Sequence, residues 1–206
     1  MEADAVASQD NGLAVRVTAL EAKFDIGQLA VRYSLAADSR DVAGLLALFE
    51  PREREVLRHA EAPEDRREEA HDRHAFGLDQ FYRSVHQICG HIIELLTPTT
   101  ARGKLYCRAE HEVGERYIVA ALIYNDDYVK VDGEWLFAKR RPQIWYAADL
   151  LERPQEVDFA SWSGSQAPEL PGTFPMWSTF WQERDTAAIT SHPVGEASTS
   201  NPKSGA

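Results

Sequence analysis

Residues 128–138 read Tyr-Val-Lys-Val-Asp-Gly-Glu-Trp-Leu-Phe-Ala, two runs of β-branched and aromatic residues joined through Asp132-Gly133. Asp-Gly between such runs is the strongest short-range signal for a β-hairpin, because the favoured tight turn needs positive φ at both central positions. The strands extend outward from it, over 117–131 before the turn and 134–146 after it. Upstream, 86–96 and 103–113 have the same composition, and Gly114-Glu115 supplies a turn that pairs 103–113 with 117–131. Before Val85 the apolar spacing becomes helical. Asp25 reads as an N-cap with Gln28 able to reach back, and Ile26, Leu29, Ala30 and Tyr33 repeat on one face of a helix ending near Ala37. Asp41 caps a short second helix with Val42, Leu45, Leu46 and Phe49 on its apolar face and Pro51 at its end. A third helix is expected over 77–84. Residues 50–73 are dense in mixed charge, the mark of a solvated helix or excursion. Helices first and an antiparallel sheet second specify the α+β class.

The chain divides into a small, polar segment, 1–12, expected to be mobile; one folded domain, 13–153; an arm, 154–189; and a Ser/Pro/Gly-rich tail, 190–206, also expected to be mobile. The arm carries Trp162, Phe174, Trp177, Phe180 and Trp181 among Pro and Gly. It is expected to bury them over the mouth of the sheet or on a neighbouring subunit. Among 206 residues, 44% are hydrophobic, enough for a core and an apolar cavity. The 22 Lys and Arg against 33 Asp and Glu leave a net charge of −11, which argues against nucleic acid and anionic membrane surfaces as partners. Cys89 and Cys107 are too few for a disulfide framework, and the first residues lack the basic and apolar regions of a secretory signal, so a reducing cytoplasm is expected. No apolar run approaches the roughly 20 residues of a membrane-spanning helix.

The glycine signatures of dinucleotide and phosphate loops, the G-x-S-x-G elbow and C-x-x-C are all missing. What remains is a set of carboxylate and histidine residues: Asp38 at the end of the first helix, and His86, His91 and His111 on strands. Imidazole exchanges a proton near neutral pH, and a carboxylate partner fixes its tautomer and raises its basicity. Strand parity sharpens the set. Leu105, Cys107, Ala109 and His111 share one face, an apolar wall leading to a histidine, whereas Tyr106, Arg108 and Glu110 face the other way. His86 and His91 are separated by an odd number and fall on opposite faces unless Gly90 makes a bulge; His86 is taken as catalytic and His91 as structural. Each residue has a plainer reading beside this one. Asp38 is also placed to cap the turn between helices, Cys107 to be a small buried hydrophobe, and the histidines to be structural. A zinc site lacks tight ligand spacing, and His71 and His74 fall in the charged excursion.

The order of residues 32–41 (RYSLAADSRD), 84–91 (SVHQICGH), 103–111 (GKLYCRAEH), 128–138 and 141–145 (RPQIW) resembles the SnoaL-like branch of the nuclear transport factor 2-like superfamily and, within it, the scytalone dehydratases. The resemblance implies a cone-shaped α+β barrel, three N-terminal helices packed on a strongly curved antiparallel sheet, with a deep pocket inside and a homo-oligomer, dimer or trimer, outside. It implies that Asp38, His86 and His111 are the catalytic aspartate and two histidines of a metal-free, cofactor-independent site. Asp38 and His111 are expected within hydrogen-bond reach of each other, with His86 facing the same cavity. The match is incomplete, because the two tyrosines of the dehydratase pattern fall at Ala37 and Leu57, and its serine and asparagine at Leu122 and Tyr124. Tyr33, Tyr82 or Tyr124 is available to supply a phenol instead, with Cys107 and Trp145 completing the substrate-binding set. The function this implies is a lyase acting on a hydroxylated, largely apolar, aromatic small molecule by dehydration or a related C–C cleavage such as aldehyde release. A SnoaL-like cyclase or isomerase, and a non-catalytic binding or assembly module, stand as alternatives.

Overall fold

The computed structural model describes the backbone of residues 2–60, 78, 80–153 and 173–176, and their side chains apart from 2–11 and 58–60. The chain forms two compact units, Met1–Leu170 and Pro171–Ala206, and every element below belongs to the first. Helix α1 (Glu2–Ser39), α2 (Val42–Ala47) and α3 (Pro51–Ala60) precede strands β1 (Arg83–Thr97), β2 (Thr100–Val113), β3 (Arg116–Val131) and β4 (Glu134–Asp149). The strands form one antiparallel meander in the order β1-β2-β3-β4.

The turns follow from local chemistry. Asp132 and Gly133 have φ of 50° and 89°, the left-handed pair that a two-residue hairpin loop demands. Between β1 and β2, Thr97 Oγ1 accepts from the backbone N–H groups of Thr99 and Thr100 at 3.2 and 3.0 Å. Asp41 caps α2 through Oδ1, which accepts from Gly44 N–H at 2.9 Å.

Two expectations for the helices are corrected. The first helix does not begin at Asp25: α1 runs unbroken from Glu2, and Asp25 is an exposed residue within it, because the segment before it is rich in alanine, with six at 3, 5, 7, 14, 19 and 22, and alanine propagates a helix as readily as a cap starts one. The third helix is not at 77–84, since Ser84 already lies in β1 and Leu78 and Gln80 adopt 3₁₀ conformation. It is α3, where Pro51 occupies the first helical position, a place at which its missing N–H costs nothing. The turn between α2 and α3 is tied to the sheet by Glu50 N–H to Phe137 O and Phe137 N–H to Leu48 O, each 2.9 Å.

The helices cover one face of the curved sheet. One cluster joins Ile26, Leu29 and Tyr33 of α1 with Leu45 and Phe49 and with Tyr128, Trp135 and Phe137 of the hairpin; Leu57 of α3 packs against it. A second cluster gathers Ala30 with Leu105, Cys107, Ala109, Ile118 and Leu122. The inward parity of Leu105, Cys107, Ala109 and His111 holds, as all four are buried while Arg108 is exposed. Among the described residues no helix is long and apolar enough to cross a membrane. The arm is described only at 173–176; the tail, His71 and His74 lie outside the described residues.

Candidate active site

Asp38 sits in the last turn of α1, and the way that helix stops places its carboxylate. Arg40 N–H bonds to Ala37 O at 3.3 Å and Asp41 N–H to Ala36 O at 2.9 Å, the paired closure of a Schellman turn with Arg40 in the left-handed position usually given to glycine. Arg40 has φ of 63°, a conformation that costs a non-glycine residue about 1–2 kcal/mol. Its guanidinium offsets that cost: Nη1 donates to Ala37 O and to Ser84 Oγ, both at 2.7 Å, and Nη2 to Phe81 O at 2.9 Å. One side chain thus ties the end of α1 to the start of β1.

Across that junction His86 meets Asp38 twice. Its backbone N–H donates to Oδ2 at 2.8 Å and its ring Nδ1 lies 2.7 Å from Oδ1. Burial works against the charge on Asp38, but the His86 ring and backbone donors, the imidazole's charge and the Ser84 hydroxyl outweigh it, and the carboxyl is held below its usual range. An ionised carboxylate only accepts, so Nδ1 carries the hydrogen shared with Oδ1, and Nε2 is the ring nitrogen at which a proton is gained or lost. Here the structure corrects an expected pairing: the partner of Asp38 is His86, not His111. His111 belongs to the same cluster, its ring centroid 5.6 Å from that of His86 at 71° and stacked on Phe81 at 4.2 Å. Burial, with His86 and Arg40 adding to it, pushes the His111 pKa down to about 4, so this imidazole is neutral at neutral pH.

Strand parity breaks at several irregularities of register, and two of them add inward groups. In β1 the register passes from Ile88↔Cys107 to Gly90↔Tyr106, leaving Cys89, not Gly90, as the extra residue. His91 is thereby returned to the inner side, where Nε2 lies 3.0 Å from Tyr128 Oη and burial lowers its pKa to about 4. In β4 the register passes from Asp127↔Lys139 to Tyr128↔Phe137, so Ala138 is extra and Arg140 turns inward. The Arg140 side chain is 4% exposed. Its Nε and Nη2 each lie 3.1 Å from an oxygen of the buried Asp126 carboxylate. Its Cζ lies 4.1, 3.9 and 4.5 Å from the ring centroids of Tyr33, Tyr124 and Phe137. Burial disfavours the guanidinium charge, yet Asp126 overcomes this and raises its pKa. Among the described residues its buried Nη1 has no hydrogen-bond partner.

The remaining candidates divide. Tyr33 is buried edge-on to His86 and Tyr124, with centroids 6.4 and 6.0 Å away, and so links the Asp38–His86 pair to Arg140. Cys107 is buried on the inner wall, where loss of solvation pushes its thiol up to about 12, far from the range of a nucleophile. Tyr82, expected to line the site, is 79% exposed beneath the Arg83 guanidinium; it precedes β1 instead of ending a helix, and it is Ser84 that faces in. Trp145 is half-buried at a second bulge of β4, between Ile144 and Tyr146. Arg40 and Arg140 were missed. The first is visible in the sequence only as the residue two beyond Asp38. The second has no signal, because alternation from Phe137 points Lys139 and Arg141 inward. Among the described residues no group of three His, Cys, Asp or Glu side chains is placed to hold a metal ion.

The family model for the SnoaL-like domain matches residues 18–141, which include Asp38, His86, His111 and Arg140. The chain belongs to the SnoaL-like family. No curated protein matches its sequence. Among solved structures, a protein from Novosphingobium aromaticivorans assigned as a scytalone dehydratase is similar, at 24% identity and a TM-score of 0.53, over 68% of this chain and 94% of that one. LinA is similar at 20% identity and a TM-score of 0.53, over 66% and 94%. The type 3 LinA hexachlorocyclohexane dehydrochlorinase from Novosphingobium barchaimii is similar at 18% identity and a TM-score of 0.52, over 66% and 94%. These likenesses show for this chain the same α+β fold, helices packed on a curved antiparallel sheet.

Proposed function

We propose that the protein is a cofactor-independent lyase that eliminates water, or cleaves a C–C bond to release an aldehyde, from a hydroxylated and largely apolar aromatic molecule. The observation that carries this is the Asp38–His86 contact at 2.7 Å, which leaves a basic Nε2 on an inward ring. In dehydration, Nε2 takes a proton from the carbon next to an electron-withdrawing group. Asp38 holds the resulting imidazolium charge. Electron density moves onto the substrate oxygen, where the buried Nη1 of Arg140 and the neutral imidazole of His111 act as donors. The C–O bond then breaks, a C=C bond forms, and the proton on His86 leaves with the hydroxyl as water. Retro-aldol cleavage uses the same base on an O–H, with the C–C bond breaking in place of C–O. Tyr33, Tyr124 and Cys107 form the apolar wall against the ring of the substrate. Dehydratases and dehydrochlorinases among the similar folds are in keeping with elimination chemistry of this kind.

A panel of hydroxylated aromatic compounds, followed by ultraviolet absorbance for new conjugation and by mass spectrometry, tests this. The expected product is lighter by one water or accompanied by an aldehyde, and His86→Ala lowers the rate by about 10²–10⁴. A product of unchanged mass would make the protein an isomerase or cyclase, and tight binding of such compounds without turnover would make it a binding module.

A further inference from the structure

The outer face of α1 carries an apolar stripe that the fold does not use. Leu13, Val17, Leu20, Phe24, Val31 and Leu35 are exposed by 57, 43, 66, 66, 42 and 66%. At about 100° per residue they fall within an arc of about 60°. The apolar side chains that α1 buries in its own domain, Ala22, Ile26, Leu29, Ala30, Tyr33 and Ala37, centre about 160° away on the same wheel. The stripe therefore points directly away from the body it is attached to. Moreover, residues 12–18 are exposed on every side while remaining helical. A helical stretch with no packing is marginal in water. Leu20 and Phe24 also flank a groove of about 460 Å³, lined besides by Thr18, Ala22 and Lys130, a concavity beside the ridge.

The spacing of four, three and four residues from Leu13 to Phe24 is that of a heptad seam, with Val17 and Phe24 at a and Leu13 and Leu20 at d. Leucine at both d positions and the β-branched Val17 at one of the two a positions favour two parallel strands. Charge at the flanks selects the same arrangement. Arg16 and Lys23 occupy g and Glu21 occupies e. In a parallel pair g faces the e position five residues on, so Arg16 of each copy meets Glu21 of the other. An antiparallel pair would instead set g against g, with Arg16 and Lys23 together, and e against e. We infer that the exposed face of α1 is the seam of a parallel, two-stranded helix pair that joins two copies of this chain. Because the seam lies opposite the sheet, the two domains hang outward on either side of it without collision, and each keeps its own Asp38–His86 pair.

The test uses the full chain in a dilution series followed by sedimentation velocity and light scattering. The wild type is expected to be a dimer. Leu20→Glu and Phe24→Glu are expected to raise the dissociation constant more than about 100-fold, while circular dichroism shows the sheet signal and cooperative melting retained, since both residues are solvent-facing within the protomer. The charges give a second arm that does not disturb the apolar seam. Arg16→Glu and Glu21→Arg should each weaken the dimer about tenfold, and the double exchange should restore it. A chain that stays monomeric throughout, an assembly unaffected by the two glutamate variants, or a double exchange no better than the single ones would each overturn the inference.

Discussion

Replacing Asp38 by Asn removes one charge and one acceptor while keeping the shape, and its consequences can be worked from the two contacts the carboxylate makes. In the wild type Oδ2 accepts from His86 N–H and Oδ1 from the ring Nδ1–H. Asn has one acceptor oxygen, so one of those donors must face an NH₂ group. If the backbone N–H keeps the oxygen, the amide nitrogen faces Nδ1, and the ring relieves the clash by moving its hydrogen to Nε2. The lone pair then lies on Nδ1, bonded to Asn, and the inward nitrogen is no longer a base. If the ring keeps the oxygen, the backbone N–H of a partly buried strand loses its acceptor. Either way a hydrogen bond to a charged group is lost, which costs about 1–3 kcal/mol of stability. The rate should fall by about 10²–10⁴ because the base is in the wrong tautomer or lacks its counter-charge. Long-range ¹H–¹⁵N correlation of the imidazole nitrogens reads the tautomer directly and needs no substrate; denaturant titration reads the stability, and turnover of a substrate from the aromatic panel reads the rate. An Asp38→Asn protein whose His86 keeps hydrogen on Nδ1 and whose turnover matches the wild type would show that Asp38 is a helix terminus with no part in the chemistry.

Acid should destabilise the domain through His91 and His111, whose folded pKa values of about 4 lie below the ordinary histidine value of 6.5. Between those limits the unfolded chain binds more protons than the folded one, so stability rises with pH there. Each histidine therefore contributes a loss of up to about 1.4 kcal/mol per pH unit as pH falls from 6.5 towards 4, and Asp38, whose folded pKa is depressed, adds its own loss below its ordinary value. Melting temperature against pH checks this, and His111→Phe should flatten the slope. Arg140→Met strands the Asp126 carboxylate, 2% exposed, without its cation; denaturant titration should show a loss of about 3–5 kcal/mol. Iodoacetamide on the native protein should label exposed Cys89 and spare Cys107, whose thiol is pushed up to about 12; intact mass should show one adduct until denaturant is added.

Much of the architecture was legible because it is written in local chemistry. Asp132-Gly133 announces a turn that other residue pairs enter only with strain, and the alternation along 105–111 assigns the inner face of β2 without knowledge of its neighbours. The helices were harder for the same reason. Asp25 has every local attribute of an N-cap, yet capping is a preference of about 1 kcal/mol that an already propagating helix overrides. Pro51 reads equally well as the end of one helix and the start of the next. Only the tie of Leu48 and Glu50 to Phe137, a contact between positions distant in sequence, decides between them.

The site shows where local reading stops. Parity propagates reliably along a strand until a residue is inserted, and each insertion reverses the assignment of everything beyond it. The sequence marks Gly90 as the candidate for such an insertion in β1, whereas the unpaired residue is Cys89. The effect on His91 is the same, because either position adds one residue between it and His86. In β4 nothing marks Ala138. Yet its insertion exchanges Arg140 for Lys139 and Arg141 on the inner face, and with that exchange the apolar wall of tyrosines acquires a buried cation held by Asp126. The pairing of Asp38 is non-local in a different sense. From sequence, His111 was the expected partner of the carboxylate, and nothing local set it apart from His86. They are distinguished by the Schellman turn at Arg40, whose guanidinium bonds to Ser84 and Phe81 and so brings the first residues of β1, not the end of β2, against Asp38. The geometry of the dyad is therefore set by an arginine in a strained backbone conformation, and the chemistry proposed for His86 depends on that turn as much as on the aspartate itself.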